Sequence, residues 1–443
     1  MLKNKKILIF VATIIILLML LVYSLNNTIS NKEIEELIEK SLENIQPELV
    51  AVNKYIVYGT HLNLVAKLDA NFVDDNINEV KLVFKSIEGI EIPFNVDYTI
   101  DKNEISFSTS NEINGGINLE TIAQGKYYIL LKIVSTLEGI KSYNYYLLNN
   151  KTKYKNIEYY TITKNERNNK INISSDRYLL NGIIVSYMNI TVKENKLPDE
   201  IYDIVIDPGH GGNDCGAVKG EYKEAQIVLE YSLNLKYKLE ELGLKVKLVR
   251  EEDEYIDAYG EKGRGVIPNL VKAKYVFSIH LNSSTESMKT GGVEIYSPSN
   301  SNLSFPKLMA DNIVNITNTT YSPNLLYKVE DGVYVRNYIK EEIIEAKQCA
   351  SSSGYKEYNI TTETPYMFMI RETGGIATKA YIDGRNKDYG INKYYNSNIG
   401  TEGYLLELGF MSCSNDLDNI LNGKNSYVKA IATSIQQYLN ITN

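Results

Sequence analysis

Two histidines and two glutamates in the second half of the chain are the residues best suited to chemistry. The chain has 443 residues but only three histidines, so any imidazole chemistry must use His61, His210 or His280. His210 follows the apolar run 203–206, in the tight turn sequence D-P-G-H-G-G, and His280 directly follows the apolar run 275–279. Packing explains a polar imidazole at such a point poorly, whereas open α/β sheets bind ligands at the carboxyl ends of their strands.

Two carboxylates complete this pattern. Glu224 opens a segment with helical periodicity, where the helix dipole favours a carboxylate whether or not it binds a ligand. Glu407 stands between leucines in the strand-like run 404–410, and a buried carboxylate must be paired, neutral or metal-bound. Two imidazoles, a carboxylate at a helix start and a separate carboxylate base are the composition of a catalytic zinc site.

The elements that must position these residues differ between the two halves of the chain. We predict that residues 201–443 form an α/β domain with a twisted mixed sheet flanked by helices. Residues 48–197 instead contain short β-type runs separated by turn signals, which predicts an all-β immunoglobulin-like sandwich. His61 in that region has no ligand residues at metal spacing, so we interpret it as structural. The sequence does not choose between a spacer and a module that binds a protein partner or the cell wall.

The amino terminus has the pattern of a membrane anchor. An uncharged apolar run, 7–25, follows three lysines and is long enough to cross a bilayer as a helix. We therefore predict a short cytoplasmic tail with a signal-anchor over 1–27 and a juxtamembrane helix over 28–47. The rest of this single-pass cell-membrane protein would be extracytoplasmic. A cleaved signal peptide is disfavoured because the run is long and no small-residue cleavage site follows it.

Composition excludes several classes of function. The formal net charge of −8 argues against a nucleic-acid partner held by phosphate contacts. The three cysteines are far apart, so they offer neither a disulfide framework nor a thiolate metal site.

Residues 201–443 closely resemble the zinc-dependent N-acetylmuramoyl-L-alanine amidases of bacterial cell walls. The resemblance is carried by Asp214, Glu224 and the motifs I-V-I-D-P-G-H-G-G (204–212), S-I-H-L-N-S (278–283), G-G-V-E (291–294) and E-L-G-F-M-S (407–412). It implies that His210, Glu224 and His280 bind Zn²⁺ and that Glu407 is the catalytic glutamate. It also implies that peptidoglycan is the substrate, cleaved between N-acetylmuramic acid and L-alanine, and that Arg250 and Arg264 are mainly structural.

The segment before the catalytic glutamate departs from the family pattern. The connection formed by residues 369–398 is longer and more polar than is usual in the family. It resembles the connection in a branch of the family that has an enlarged substrate region. We predict that Arg371 or Arg385 meets a stem-peptide carboxylate, and we add Asn282 as a third candidate for substrate binding. The alternative is a solvated loop.

Three other interpretations remain open from the sequence. A zinc exopeptidase acting on wall peptides would use similar ligands, but it would cleave peptides that lack muramic acid. A catalytically silent wall-binding module would keep the fold without turnover. An enzyme held inactive by its own loop within 305–350, or by the β region, would need a partner for activity.

Overall fold

The computed structural model describes residues 45–59, 61–69, 76–109, 116–152, 157–160, 169–180, 183–194, 201–258, 262–284, 291–299, 301, 303–352, 360–373 and 401–441. The predicted anchor over 1–27 lies outside these residues, as does most of the predicted juxtamembrane helix. Ile45, near the end of that predicted helix, instead forms an isolated parallel bridge with Tyr145.

No helix in the described ranges is both long and apolar enough to cross a membrane.

The described residues between Val50 and Glu194 form β-strands, with one short 3-10 helix at Leu119–Thr121. We call this part of the chain the β region. Its strands are β1 (Val50–Tyr58), β2 (His61–Asp69), β3 (Ile77–Ser86), β4 (Glu91–Asn95), β5 (Asp97–Asp101), β6 (Glu104–Ser108), β7 (Ile117–Asn118), β8 (Gly125–Leu137), β9 (Ile140–Asn150), β10 (Ile157–Tyr160), β11 (Asn169–Leu180) and β12 (Ile183–Glu194).

Two antiparallel groups of strands share the core of the β region. One group runs β1-β2-β6-β5, and the other contains β3, β4, β8, β9 and β10 to β12. Strands β1 and β9 join the groups through a short parallel ladder. Alternate residues of both groups, such as Val52, Leu64, Phe84 and Ile129, are buried in one apolar cluster. The predicted all-β character is confirmed, whereas the immunoglobulin-like type stays a prediction.

The second half contains a seven-stranded sheet in the order β16-β13-β17-β21-β18-β20-β19. Its strands are β13 (Ile204–Pro208), β16 (Val246–Leu248), β17 (Tyr275–Asn282), β18 (Glu294–Tyr296), β19 (Lys328–Glu330), β20 (Val333–Tyr334) and β21 (Glu402–Phe410), and the hairpin β14 (Val218–Lys219) and β15 (Tyr222–Lys223) lies apart. Strands β16, β13, β17 and β21 are parallel, and β18 runs antiparallel to β21. The predicted mixed sheet is therefore confirmed.

Helices flank this sheet on both faces. They are α1 (Glu224–Glu241), α2 (Ile267–Leu270), α3 (Ser304–Ile316), α4 (Lys340–Ser352), α5 (Phe368–Thr373) and α6 (Ser414–Tyr438). Apolar residues of α1, α3 and α6 pack with Ile206, Phe277 and Leu406 in the largest core cluster. Met369 of α5 packs with Val205 and Val276, whose side chains lie on the opposite face.

The β region contacts the sheet of the second half at the amino-terminal ends of β17 and β21. Lys274 Nζ, just before β17, lies 2.9 Å from Glu120 Oε1, and both side chains are largely buried. A Cβ atom at Gly59 would lie within 2.8 Å of the Tyr275 ring and of Glu402 Oε2, so the backbones of the two parts approach closely there. His61 adds a 3.4 Å contact to the Tyr438 hydroxyl. The carboxyl ends of the same strands, where the predicted site lies, face away from this interface.

Candidate functional site

The turn after β13 presents His210 at the carboxyl edge of the sheet. Because β13 and β17 are parallel neighbours, this turn comes next to the end of β17, which carries His280. His210 adopts a left-handed backbone conformation with φ of +58°, which is uncommon for a residue with a side chain. A Cβ atom at Gly209 would collide with the His280 ring, so the two rings approach closely only because residue 209 is glycine.

Glu224 joins the two histidines. It is the first residue of α1 and is buried, and its Oε1 lies 3.2 Å from His210 Nε2 and 3.0 Å from His280 Nδ1. The ligand atoms of the three side chains lie within 4.8 Å of one another. Backbone N–H groups of Ala217 and Leu281 donate to the two carboxylate oxygens and fix their orientation. The structure thus brings together the three residues that the sequence predicts as metal ligands.

Asp214 orients the first of these histidines. Its Oδ2 lies 3.0 Å from His210 Nδ1, and its Oδ1 accepts a hydrogen bond from the backbone N–H of Gly216. A carboxylate on the outer nitrogen of a ligating histidine is a typical supporting contact at metal sites. Asp214 is one of the residues that carry the family resemblance, but the sequence predicts no role for it. The signal that could have identified it is an acidic residue four positions after His210.

The electrostatics of the cluster favour positive charge. Burial alone would raise the pKa of Glu224, but hydrogen bonds and charges from His210 and His280 outweigh it and hold this pKa far below its usual range. Burial likewise opposes protonation of His210, but Glu224 and Asp214 raise the pKa of its imidazole. The negative charges that favour a proton on His210 also favour a metal cation at this point.

Glu407 lies beside the cluster on β21. It is the ladder partner of His280 on one side and of Glu294 on the other. Its Oε2 is buried and has no hydrogen-bond partner among the described residues. Burial raises the pKa of Glu407 well above its usual range, and the negative charges of Glu224 and Glu294 raise it further. Such a carboxyl group holds a proton readily, as a general acid and base requires.

Comparison with known proteins identifies the family of the second half of the chain. The family model described as N-acetylmuramoyl-L-alanine amidase matches residues 204–437, about half of the chain. The chain belongs to this family. We therefore call residues 201–441 the amidase domain.

Individual relatives match shorter stretches of the amidase domain. The germination-specific N-acetylmuramoyl-L-alanine amidase of Bacillus subtilis (strain 168) is 31% identical over 137 residues, which are 27% of this chain and 58% of that protein. The probable cell wall amidase LytH of Staphylococcus saprophyticus is 32% identical over 114 residues, which are 25% of this chain and 36% of that protein. The chain thus spans less than two thirds of each of these relatives. The crystallised amidase AmiC2 of Nostoc punctiforme is 21% identical, with a TM-score of 0.33, over 54% of this chain and 98% of that one.

Two buried arginines hold the His210 turn of the amidase domain in place. Arg250 is completely buried and donates to the carbonyl oxygens of Pro208 and Gly209. Arg264 donates to the carbonyl oxygen of His210 and to Asp207 Oδ1. These contacts are structural, as the family resemblance implied.

The three predicted substrate residues have different surroundings in the amidase domain. Asn282 ends β17, and both ends of its carboxamide are engaged: Nδ2 donates to Glu294, and Oδ1 accepts from the backbone N–H of Ser283. Arg371 is buried and donates to the Tyr338 hydroxyl, the Tyr366 carbonyl and Glu372. Arg385 lies outside the described residues. The hydrogen bonds of Asn282 and Arg371 are thus internal, and substrate binding by all three residues stays a prediction.

Proposed function

We propose that the chain is a peptidoglycan hydrolase that cleaves the amide bond between N-acetylmuramic acid and the L-alanine of the stem peptide. The observation that carries this proposal is the convergence of His210, Glu224 and His280 on one point, with Glu407 on the adjacent strand. Membership of the N-acetylmuramoyl-L-alanine amidase family supports the same reaction.

The residues at this point fit a zinc ion. Two imidazoles and one carboxylate form a donor set that is common in catalytic zinc sites and leaves a position for water or substrate. A Cβ atom at Gly216 would lie 2.5 Å from Glu224 Oε2 and 2.6 Å from the His210 ring, so this glycine keeps the space around the donors open. When bound, zinc would lower the pKa of a water ligand toward about 7 and polarise the scissile carbonyl.

The chain's own residues supply the proton transfer and the positioning that the reaction also needs. Glu407 takes the proton of the attacking water and later delivers it to the nitrogen of the departing L-alanine, and its raised pKa suits it to hold that proton in between. Asp214 holds the imidazole of His210 in one orientation. Arg250 and Arg264 fix the backbone that carries it.

We also propose a membrane-anchored location, with the amidase domain outside the cytoplasm. The support is the apolar run 7–25 behind three lysines. A fixed anchor favours local trimming of the wall during growth, division or spore formation over bulk lysis. The β region contacts the edge of the amidase sheet opposite the metal cluster, which supports a spacer or partner-binding role for it over that of a lid.

The test is digestion of purified peptidoglycan with the full chain, purified in detergent and loaded with zinc. Mass spectrometry should find stem peptides with a free L-alanine amine, released by wild type and not by Glu407→Gln. Glu330→Gln is the matched control, because Glu330 is exposed on β19. Cleavage of free peptides that lack muramic acid would favour the exopeptidase, and metal binding without any product would favour the silent wall-binding module.

A further inference from the structure

A second carboxylate, Glu294, lies directly across the β-ladder from Glu407. It occupies the first position of β18 and is completely buried. A buried carboxylate is costly unless hydrogen bonds compensate for the lost water, and a like charge nearby adds to that cost. The reaction proposed above gives this residue no role, so its surroundings need a separate explanation.

Four neutral donors compensate the Glu294 carboxylate. Its Oε2 accepts from Asn282 Nδ2 at 3.1 Å and from the Tyr296 hydroxyl at 2.9 Å. Its Oε1 accepts from Ser322 Oγ at 2.7 Å and from Asn324 Nδ2 at 3.3 Å. Each oxygen of the buried carboxyl group therefore has two hydrogen-bond partners.

These donors come from separate segments on the two sides of Glu294. Asn282 is two residues beyond His280 on β17, on one side of β21. Ser322 and Asn324 belong to the loop before β19, on the far side of β18, and the Tyr334 hydroxyl donates to the carbonyl groups of both. Glu294 is therefore the point at which the end of β17 and the 322–324 loop are joined to β18, the strand that pairs with Glu407.

We propose that Glu294 is a positioning residue for hydrolysis: its hydrogen bonds to Asn282 and to the 322–324 loop fix the start of β18, and this fixed strand end orients its ladder partner Glu407. The inference rests on the proposed amidase activity and adds a residue to it. Because Glu294 is completely buried, it does not touch the substrate and acts through its neighbours.

The test is Glu294→Gln in the full chain, which keeps the volume of the side chain but replaces one accepting oxygen with an amide that donates. The kcat on a soluble muramoyl-peptide fragment should fall about 10- to 100-fold, the range typical of supporting residues at metal sites. The KM, the bound zinc per chain and the melting temperature should remain close to wild type. This split separates positioning from general destabilisation, because loss of folded protein or of metal would lower those values as well.

Two further variants and one control make the result specific. Ser322→Ala and Tyr296→Phe each remove one donor and leave the charge in place, so each should lower kcat less than Glu294→Gln does. Glu330→Gln, the exposed control, should have the same kcat, KM, bound zinc and melting temperature as wild type. If Glu294→Gln does not fold, Ser322→Ala decides: a lower kcat at an unchanged melting temperature supports the inference, and an unchanged kcat overturns it.

Three results would count against a positioning role. A wild-type kcat in Glu294→Gln means that the hydrogen bonds around Glu294 have no part in turnover. A loss of activity in step with loss of zinc or of folded protein assigns Glu294 to stability alone. If wild type releases no stem peptides, the proposed function itself fails, which is seen before any variant is compared, and this inference fails with it.

Discussion

Glu224 Oε1 lies 3.0 Å from His280 Nδ1, so the first residue of a helix and the end of a strand meet at one point. The helix start supplies a carboxylate and the sheet edge supplies an imidazole. Neither element could hold a cation alone, because each contributes one ligand. The candidate metal site therefore depends on the turn at 209–217, which follows β13, carries His210 and leads to the helix start through the β14–β15 hairpin. The residues that support this turn allow the dependence to be tested.

Asp214→Asn should weaken metal binding without removing a ligand. The carboxylate of Asp214 holds His210 Nδ1, and loss of such a partner typically costs about 10- to 100-fold in metal affinity. Competition with a coloured chelator measures the change. Asp253→Asn is the matched control, since Asp253 accepts a hydrogen bond from Gly212 in the same turn without touching a histidine. Equal zinc affinity in both variants would show that Asp214 does not support the site.

Glu407→Gln should inactivate the enzyme and stabilise its metal-free form. Loss of a general acid and base typically costs about 10²- to 10⁴-fold in rate. The folded state raises the pKa of Glu407 and therefore favours the protonated carboxyl group. The ionised group destabilises the folded state increasingly as pH rises above the pKa that Glu407 has in the unfolded chain. The neutral amide should therefore raise the free energy of unfolding by roughly 1 kcal/mol or more near neutral pH.

Urea unfolding of metal-free wild type and Glu407→Gln at several pH values measures this difference. The gap between the two should widen as pH rises. A variant less stable than wild type at neutral pH would contradict the electrostatic interpretation of the Glu407 environment.

His61 should make the protein less stable in mild acid. Burial lowers the pKa of its imidazole to about 4, so the unfolded chain binds the additional proton between its own pKa, near 6.5, and about pH 4. Stability from this group is complete above that window and is lost as pH falls through it. The loss should reach about 2 kcal/mol between about pH 7.5 and about pH 5.

His61→Gln should flatten that part of the pH dependence in chemical denaturation. Tyr438→Phe, which removes the hydroxyl 3.4 Å from His61 Nδ1, should leave the slope largely in place because burial is the main cause of the shift. An unchanged slope in His61→Gln would show that other groups govern acid stability.

The ion pair between Lys274 and Glu120 should be a main contributor to the interface of the β region with the amidase domain. Burial lowers the pKa of Lys274, which shows how poorly its charge is solvated. Glu120→Gln should therefore cost roughly 3 kcal/mol of unfolding free energy, as expected when one partner of a buried pair is removed. Glu363→Gln breaks the 3.6 Å pair with Lys54, which also joins the two parts but is largely exposed, and should cost less than about 1 kcal/mol. Thermal unfolding of both variants measures the two losses of stability. Equal losses would contradict a main contribution of the ion pair between Lys274 and Glu120.

The sequence predicts that His210, Glu224 and His280 come together because these residues follow local signals. His210 and His280 come directly after apolar strands, and Glu224 opens a helix, so parallel pairing of β13 and β17 is enough to bring them together. Short apolar runs between turn signals likewise predict the all-β character of the β region.

Features that depend on long-range packing could not be predicted in this way. Glu294 stands in a family motif, but its role appears only when antiparallel pairing sets β18 against Glu407 and the 322–324 loop closes over it. The contact of His61 with Tyr438 joins residues 377 positions apart, which no local pattern predicts. The sequence offers a substrate carboxylate or a solvated loop as surroundings for Arg371, whereas in the structure its guanidinium donates to the Tyr338 hydroxyl and the Tyr366 carbonyl.

Strand β17 begins at the interface with the β region and ends in the metal cluster. Tyr275 at the interface and His280 in the cluster are five positions apart on this strand, which at about 3.3 Å per residue is roughly 17 Å. Substitutions that adapt the β region to a new neighbour therefore need not disturb hydrolysis, and changes around the cluster need not disturb the interface. The two surfaces of this protein are free to diverge independently in evolution, as long as the short row of contacts at Lys274 and Tyr275 is kept.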